Sequence, residues 1–303
     1  MTEASTHKGY AVQLWSPKVT AFLENLGAYA DIVNHDYENE IKNKGDRVYF
    51  FSKNGLTVRD YNVDATGFSE ITTEQPVGEK MSLVVDQQKY IAFEVEDIDE
   101  IQASVKLVDE WTETMASSFA DVKDAYIHAL AVSGAGTKLH NDSALQITKD
   151  NVWAEICALQ RVLTRNKALK KNGLDYAGKR PALVITPEFQ EILQQSSNYF
   201  ANAFGNEVLR KGQIGHIGVF DVFVDTNIQT DKSGTGTAAT YSQKIVAMTS
   251  QGITYAEQIT ETETYRSQKS FKDVVRSLMT YGAAVANANC IVTSKITMTG
   301  LGA

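Results

Sequence analysis

Hydrophobic and polar positions alternate along residues 83–95, and the pattern then changes to a helical spacing that continues to about residue 133. The alternating part predicts a β-strand, and the second part predicts a helix with one narrow apolar face. Asp97, with Glu100 three residues later, marks the predicted start of this helix. The apolar face comprises Ile98, Ile101, Val105, Val108, Met115, Phe119, Val122, Tyr126 and Ala129.

The predicted helix has about 36 residues, which at 1.5 Å per residue gives a length of roughly 54 Å. A narrow stripe on so long a helix has two explanations. It is either a coiled-coil seam or the contact face of a rigid helix that lies across a thin domain. The sequence predicts no second helix of matching length, which favours the rigid helix.

The rest of the chain predicts a mixture of helices and strands. Ser16 and Pro17 are typical of the start of a short amphipathic helix. Asn54-Gly55 predicts a hairpin turn, with residues 57–61 as the returning strand. Beyond residue 148 the spacing predicts a helix, a buried strand and a second helix, and strands dominate from residue 244 onward.

A glycine-rich turn is predicted over residues 211–218 and leads into a strand within the segment that ends at Asn227. Residues 228–242 are polar and rich in Gly, Ser and Thr, so we expect a flexible loop there.

Composition describes an acidic protein with a substantial core. The 303 residues are 43% hydrophobic and 22% charged, with a net charge of −8, which argues against a nucleic-acid-binding protein. No signal peptide or membrane-spanning segment is predicted. Cys157 and Cys290 lie in apolar patterns and are expected to be buried, unpaired side chains.

The sequence offers no convincing catalytic, cofactor or metal site. The five histidines do not pair with another His or Cys at the spacing of metal ligands, and His128 is expected to be structural. Residues 133–138 bear a faint likeness to a phosphate-binding loop, but they follow a helix and have the wrong residue order. No nucleophile elbow or distinct carboxylate pair is present, so an enzyme is not predicted.

Several of these segments, in this order, resemble the major capsid proteins of tailed double-stranded DNA phages, which share the Hong Kong 97 fold. One is Asp86-Gln87-Gln88-Lys89-Tyr90, followed by Phe93-Glu94-Val95-Glu96-Asp97-Ile98-Asp99 and the long helix. Another is Gly212-Gln213-Ile214-Gly215-His216-Ile217 with the strand after it. The resemblance extends from about Trp15 to Thr293, with a small departure at Gly218-Val219.

The resemblance implies an α+β fold with a long spine helix, an extended β-hairpin loop, a peripheral domain and an axial domain with a central β-sheet. The expected divisions are an N-terminal arm (1–45), an extended loop with its lead-in strand (46–96), the spine helix of the peripheral domain (97–139), the axial domain (140–262) and the C-terminal strands (263–303).

The resemblance also implies contacts between neighbouring subunits and flexible joints within each subunit. The candidate assembly contacts are Lys53, Asn54, Gly55, Arg59, Ser233, Gly234 and Thr235. The candidate hinges are Gly134, Gly136, Gly212 and Gly215. Some relatives crosslink a loop lysine to a neighbour's asparagine; Lys53 beside Asn54 would be the candidate, but a solvated turn lysine is the favoured interpretation.

The expected function is a virion protein that is made in the host cytoplasm and assembles as hexamers and pentamers into an icosahedral head around DNA. Expected partners are other copies of the chain, a portal protein and packaged double-stranded DNA, without sequence-specific binding of that DNA. A decoration protein is a further candidate, and a separate scaffolding protein is implied if this chain is the full precursor. The alternatives are an encapsulin-like compartment shell and, less favoured, a cytoplasmic α/β enzyme.

Overall fold

The fold was analysed in a computed structural model. The structure describes residues 28–29, 32–37, 47–53, 57–61, 63–64, 67–68, 71, 73–75, 78–96, 106–196, 215–228, 230–233, 240–266 and 272–299. The predicted N-terminal helix near Ser16 and the predicted helix start at Asp97 lie outside these residues.

The described elements are three α-helices and fifteen strands. The helices are α1 (Lys106–Gly134), α2 (Val152–Arg165) and α3 (Pro187–Gln195). The strands are β1 (Arg47–Lys53), β2 (Val63–Asp64), β3 (Gly67–Phe68), β4 (Gly78–Val84), β5 (Gln87–Glu96), β6 (Thr137–Lys138), β7 (Leu145–Gln146), β8 (Ala182–Ile185), β9 (His216–Ile217), β10 (Phe220–Val224), β11 (Asp231–Ser233), β12 (Thr240–Met248), β13 (Ile253–Arg266), β14 (Lys272–Val285) and β15 (Ile291–Thr299).

A mixed sheet of eight strands forms the centre of the fold, in the order β6-β15-β12-β8-β10-β9, with β7 and β11 paired at its margins. Strand β8 pairs in parallel with β10 and antiparallel with β12. All four residues of β8 are buried, which confirms the predicted buried strand between two helices. Thr186 caps α3 by accepting a hydrogen bond from the Phe189 backbone N–H, and Pro187 occupies the first helical turn.

The two faces of this sheet carry two separate hydrophobic cores, since successive side chains of a strand point to opposite faces. Leu183 and Ile185 of β8 face α2 and α3, where they join Leu159, Leu163 and other buried residues of the helices. Helix α2 ends at Arg165, and Asn166 is its C-cap.

On the opposite face of the sheet, Val184 and Val246 pack with α1 and with the long strands β13 and β14. These two strands form a three-stranded antiparallel sheet with β5, in the order β13-β14-β5. Helix α1 therefore lies between this three-stranded sheet and the central sheet, with 29 described residues that span about 43 Å.

The contact face of α1 differs from the predicted stripe in its C-terminal half. Met115 and Phe119 are buried as predicted, but Val122 is 41% exposed and Ala129 is also exposed. Lys123, Asp124 and His128 are buried instead, together with Ala116, Ala120, Ile127 and Ala131. The prediction failed here because it followed the large apolar side chains, whereas the close packing uses alanines and charged residues that have buried partners.

The predicted pairing around Asn54-Gly55 is wrong. Strand β1 pairs antiparallel with β4, from Arg47 opposite Val84 to Lys53 opposite Gly78. Residues 57–61 belong to no strand, and Thr57 contacts the Glu74 carboxylate through its backbone N–H at 3.2 Å. The extended hairpin exists, but it encloses residues 54–77 rather than a two-residue turn.

The single strand predicted over residues 83–95 is two strands, β4 and β5, because the chain changes partners at Val85 and Asp86. Strand β4 pairs with β1, whereas β5 pairs with β14. Two further predictions also need correction: Cys157 is exposed on α2, and residues 231–233 and 240–242 of the predicted loop are strand residues. Cys290 is buried as expected.

Candidate assembly surfaces and a buried polar cluster

The N-terminal segment, residues 28–37, is fastened to α1 by buried hydrogen bonds. The Asp124 carboxylate accepts hydrogen bonds from the backbone N–H groups of Ala28 at 2.9 Å and of Tyr29 at 3.4 Å. The Tyr29 hydroxyl lies 2.7 Å from Nδ1 of His128, one turn further along the helix. Tyr29 is fully buried, so this segment is part of the folded body.

The same segment is joined to β13 by backbone hydrogen bonds. The Asn34 N–H donates to the carbonyl oxygen of Ile253 at 3.0 Å, and the Tyr255 N–H donates to the carbonyl oxygen of Asn34 at 2.9 Å. Together with the contacts to α1, these bonds attach residues 28–29 and 32–37 to both the helix and the three-stranded sheet.

A buried ion pair lies beside this contact. Nζ of Lys123 is 3.0 Å from the Glu257 carboxylate, and Lys123 is only 1% exposed. The Tyr255 hydroxyl donates to the same carboxylate at 2.7 Å. We call Tyr29, Lys123, Asp124, His128, Tyr255 and Glu257 the polar cluster. Its members connect three elements that are distant in sequence, so its role is to hold the N-terminal segment, α1 and β13 in one arrangement.

Burial shifts the pKa values of two members of the polar cluster in opposite directions. It raises the pKa of Asp124 from 3.8 to about 6, opposed by the two backbone N–H donors. It lowers the pKa of His128 from 6.5 to about 4, so the imidazole is neutral at pH 7. Both shifts follow from the cost of a charge in a poorly solvated site.

These shifts predict a pH dependence in which two large effects oppose each other. Between pH 6.5 and 4 the unfolded chain protonates at His128 before the native protein does, so this residue lowers stability as the pH falls. Asp124 acts oppositely between pH 6 and 3.8, because the native protein binds the proton first. We expect the two contributions largely to cancel in the unsubstituted protein.

Replacing either residue should remove this balance. We compare the change in the free energy of unfolding from pH 7 to pH 5 in each variant with the same change in the unsubstituted protein. For His128→Gln this change should be more favourable by about 2 kcal/mol. For Asp124→Asn the change from pH 7 to pH 5 should be less favourable than in the unsubstituted protein by about 1 kcal/mol. Urea unfolding at the two pH values measures both changes, and changes of the same sign in the two variants would contradict the assignment.

The predicted assembly contacts fall partly within the described residues. Lys53 is the last residue of β1, Arg59 is exposed in the segment after it, and Ser233 ends β11 with an exposed side chain. Asn54, Gly55, Gly234 and Thr235 lie outside the described residues. The described contacts therefore belong to two separate parts of the fold, the extended hairpin and the β11–β12 connection.

Two of the four candidate hinge glycines occupy tightly packed positions. A Cβ at Gly134 would overlap Cγ2 of Val285, and a Cβ at Gly136 would lie 2.5 Å from the carbonyl oxygen of Ala288. Gly134 is explained by the close approach of α1 to Val285, the last residue of β14, and Gly136 by the close approach of the following turn to Ala288. Gly215 has open space around it, and Gly212 lies outside the described residues. Flexing at any of the four stays a prediction.

The sequence interpretation missed the polar cluster apart from the structural role given to His128. Lys123 and Asp124 are adjacent charged residues, which ordinarily mark the solvent side of a helix. Lys123 and Asp124 lie at helical spacing from Ala116, Ala120 and Ile127, so all five residues share one face of the helix. This spacing indicates burial only weakly, because alanines contribute little to a hydrophobic pattern.

Within the described residues, no group of three or more His, Cys, Asp or Glu side chains is arranged to hold a metal ion. None of the described helices is long and apolar enough to cross a membrane.

The fold is similar to solved structures from phages and from a virus-like particle. A structure from Mycobacterium phage Che8 superposes with a TM-score of 0.68 at 24% identity, over 88% of this chain and 90% of that one. The capsid of cyanophage P-SCSP1u gives 0.64 at 11% identity, over 88% and 86%. A virus-like particle from Pyrococcus furiosus gives 0.55 at 10% identity, over 94% and 99%. These matches confirm the Hong Kong 97-type fold.

Among curated protein sequences, none matches the chain. A family model described as phage capsid protein matches residues 79–294, a span that runs from β4 to the middle of β15 and includes α1 and every other strand of the central sheet. This span is well over half of the 303 residues. The chain therefore belongs to the phage capsid protein family, and it is a structural protein of the phage head.

Proposed function

We propose that this protein assembles as hexamers and pentamers into a closed icosahedral shell that encloses double-stranded DNA. The observation that carries the proposal is the family match over residues 79–294, supported by superposition on capsid subunits over most of the chain. Assembly takes place in the host cytoplasm, with scaffolding, portal and decoration proteins as the proposed partners. The chain has no catalytic role in this proposal.

The proposed contact between subunits is made by the extended hairpin and the residues that follow it. Of nine large hydrophobic side chains that are exposed among the described residues, five lie in residues 49–90. They are Tyr49, Val58, Tyr61, Ile71 and Tyr90. Val58 and Ile71 are 95% and 75% exposed, and such a concentration of exposed apolar side chains is typical of a surface that a neighbour covers.

The proposed divisions of the subunit are those that the family resemblance implies. The extended loop (46–96) reaches a neighbouring subunit, whereas residues 28–29 and 32–37 of the arm (1–45) pack on α1 and β13 of their own subunit. The segment with α1 (97–139) gives the peripheral domain its stiffness. The axial domain (140–262) contains the connection between β11 and β12, which we place near the axis of the capsomer. The strands at 263–303 return to the peripheral domain.

A compartment shell is the second candidate, because the same fold is found in the virus-like particle from Pyrococcus furiosus, which this chain covers over 99% of its length. The family match favours the phage head. Electron microscopy of the purified full chain, expressed alone and with the neighbouring phage genes, tests the proposal. Closed shells or rings of five and six subunits would support it, and a monomer under both conditions would overturn it.

The exposed hairpin residues provide a directed test of assembly. Val58→Glu combined with Ile71→Glu should reduce the shell fraction by about tenfold or more, because two charges would be buried against a neighbour without partners. The folded subunit should keep its thermal stability, since both side chains are exposed. Light scattering and unfolding measured on the same samples separate the two effects.

The matched control for that variant is Thr73→Glu combined with Gln75→Glu. Both side chains are exposed, and both residues lie close to Ile71 in the same loop. The control therefore adds the same charge to this part of the hairpin and removes no apolar surface. Equal loss of shells in the two variants would show that charge alone prevents assembly, against the proposed apolar contact.

A further inference from the structure

A strongly basic surface lies at the C-terminal end of α2, in a chain whose net charge is −8. Residues 161–180 contain seven Lys or Arg and a single acidic residue, Asp175, which gives this segment a net charge of +6. Part of the segment forms an open concavity of about 550 Å³. Its lining consists of Thr164, Lys167, Leu169, Lys170, Lys171, Asn172 and Tyr176. We call this lining the basic concavity.

The one acidic residue of the segment does not neutralise this surface. Asp175 is fully buried, and its carboxylate accepts hydrogen bonds from the Ser250 hydroxyl at 2.6 Å and from the Lys179 N–H at 2.8 Å. The lining of the concavity contains no carboxylate. Within the described part of the chain, Lys167 and Lys171 have exposed side chains and no ion-pair partner.

Lys167 also has an unusual backbone conformation. It follows Asn166, the C-cap of α2, and its φ is 57°, in the left-handed region. Glycine is the usual residue at this position of a helix end, because a side chain there costs about 1 kcal/mol. A lysine at a position suited to glycine indicates that the side chain has a use other than stability of the helix end.

The helix dipole explains only part of the positive charge. Cations near a helix C-terminus contribute about 0.3–1 kcal/mol, and the effect disappears beyond the last turn. It accounts for Arg165, and for Lys167 in part, but not for Lys171, which lies six residues beyond the end of α2. Lys170 has a structural role, since its Nζ donates to the carbonyl oxygen of Tyr176 at 3.1 Å and closes the loop.

We propose that the basic concavity binds the phosphate backbone of the packaged duplex DNA, so this face of the subunit lines the interior of the shell. The inference rests on the proposed function, which places DNA inside. The lining supplies Lys, Thr, Asn and Tyr donors, the residue types that contact phosphate oxygens without reading base sequence. Lysines bind phosphate oxygens as point charges, so contacts of this kind need no fixed orientation of the duplex.

The test measures binding of a fluorescent duplex of about 30 base pairs to the full chain by anisotropy at several salt concentrations. The test variant carries Lys167→Gln and Lys171→Gln. Loss of two phosphate contacts should weaken binding by about tenfold or more at roughly 100 mM salt and reduce the salt slope by about 2. The control variant carries Lys149→Gln and Lys232→Gln, which remove the same charge from exposed positions elsewhere, and it should change the affinity less than twofold.

Three results would overturn the inference: no binding of the duplex by the unsubstituted protein, equal weakening in the test and control variants, or displacement of the duplex by poly-glutamate at equal charge concentration. The last result would assign the concavity to an acidic protein instead. Electron microscopy of the same samples reports on the proposed function separately. The duplex is measured on unassembled subunits, because the interior of a closed shell is inaccessible to it. A negative duplex result from a preparation that also forms shells refutes only this inference, and a monomer with and without the neighbouring phage genes refutes the proposed function.

A single substitution separates binding from folding. Lys167→Gly should raise the thermal midpoint, because glycine relieves the left-handed conformation, and it should also weaken duplex binding about threefold or more. A variant that becomes less stable, or that keeps full affinity for the duplex, would contradict the role given to Lys167.

Discussion

Replacing Gly282 with alanine is expected to destabilise the subunit by about 3 kcal/mol, because the new methyl group would meet backbone atoms that cannot move aside. A Cβ at this position would overlap the carbonyl oxygen of Val84 and lie 2.8 Å from the Cα of Val85. These two residues are where the chain leaves β4 and enters β5. The substitution would therefore push apart the extended hairpin and the three-stranded sheet.

The change at Gly282 is measured by thermal unfolding of the purified full chain. A loss of about 3 kcal/mol corresponds to a fall in the midpoint of roughly 6–12 °C for a domain of about 150–250 residues. We also expect fewer closed shells, since the extended hairpin would no longer hold its position. The matched control is Gly215→Ala, because a Cβ there meets no atom within 4 Å. An equal fall in both variants would show that the crossing at Val84 does not require glycine.

Gly282 also shows which features of the fold can be predicted from the sequence and which cannot. The sequence predicts mostly strands from residue 244 onward, and β14, which contains Gly282, agrees with that prediction. The reason for the glycine depends on Val84, which lies far earlier in the chain. A local pattern contains no information about such a crossing.

The same distinction separates the correct strand and helix predictions from the wrong ones. The spacing beyond residue 148 predicts α2 with an apolar face of Val152, Ile156, Leu159, Val162 and Leu163, of which all but the half-buried Val162 are buried. The hairpin at Asn54-Gly55 was also predicted from a local signal, yet β1 pairs with β4, on the far side of residues 54–77. Turn residues favour a local pairing, but the buried contacts of Val48 and Leu83 with Val85 and Ala256 decide the actual partner.

The polar cluster could not be predicted because each of its charged residues looks like a surface residue by itself. Lys123 has an anionic partner only because β13 brings Glu257 to it, across 134 positions of sequence. Family resemblance supplied the fold as a whole, but not these contacts. Identification of the buried face of α1 therefore required the structure.

The ion pair at the centre of this cluster leads to the second large prediction. Glu257→Gln should destabilise the subunit by about 3–5 kcal/mol, because it leaves the Lys123 ammonium buried without a counter-charge. Glutamine has nearly the same shape as glutamate and can still accept the hydrogen bond of the Tyr255 hydroxyl, so the loss would come mainly from charge. Urea unfolding at pH 7 measures it.

A double substitution makes this prediction specific to the pair. Lys123→Met with Glu257→Gln removes both charges, and we expect it to recover most of the stability that Glu257→Gln loses, since a buried ion pair and an apolar replacement are often close in energy. A double variant as unstable as the sum of the two single variants would show that Lys123 and Glu257 act independently. The double variant could also recover its stability and yet form no shells. That result would show that the ion pair serves assembly, by fixing the arrangement of the N-terminal segment, α1 and β13.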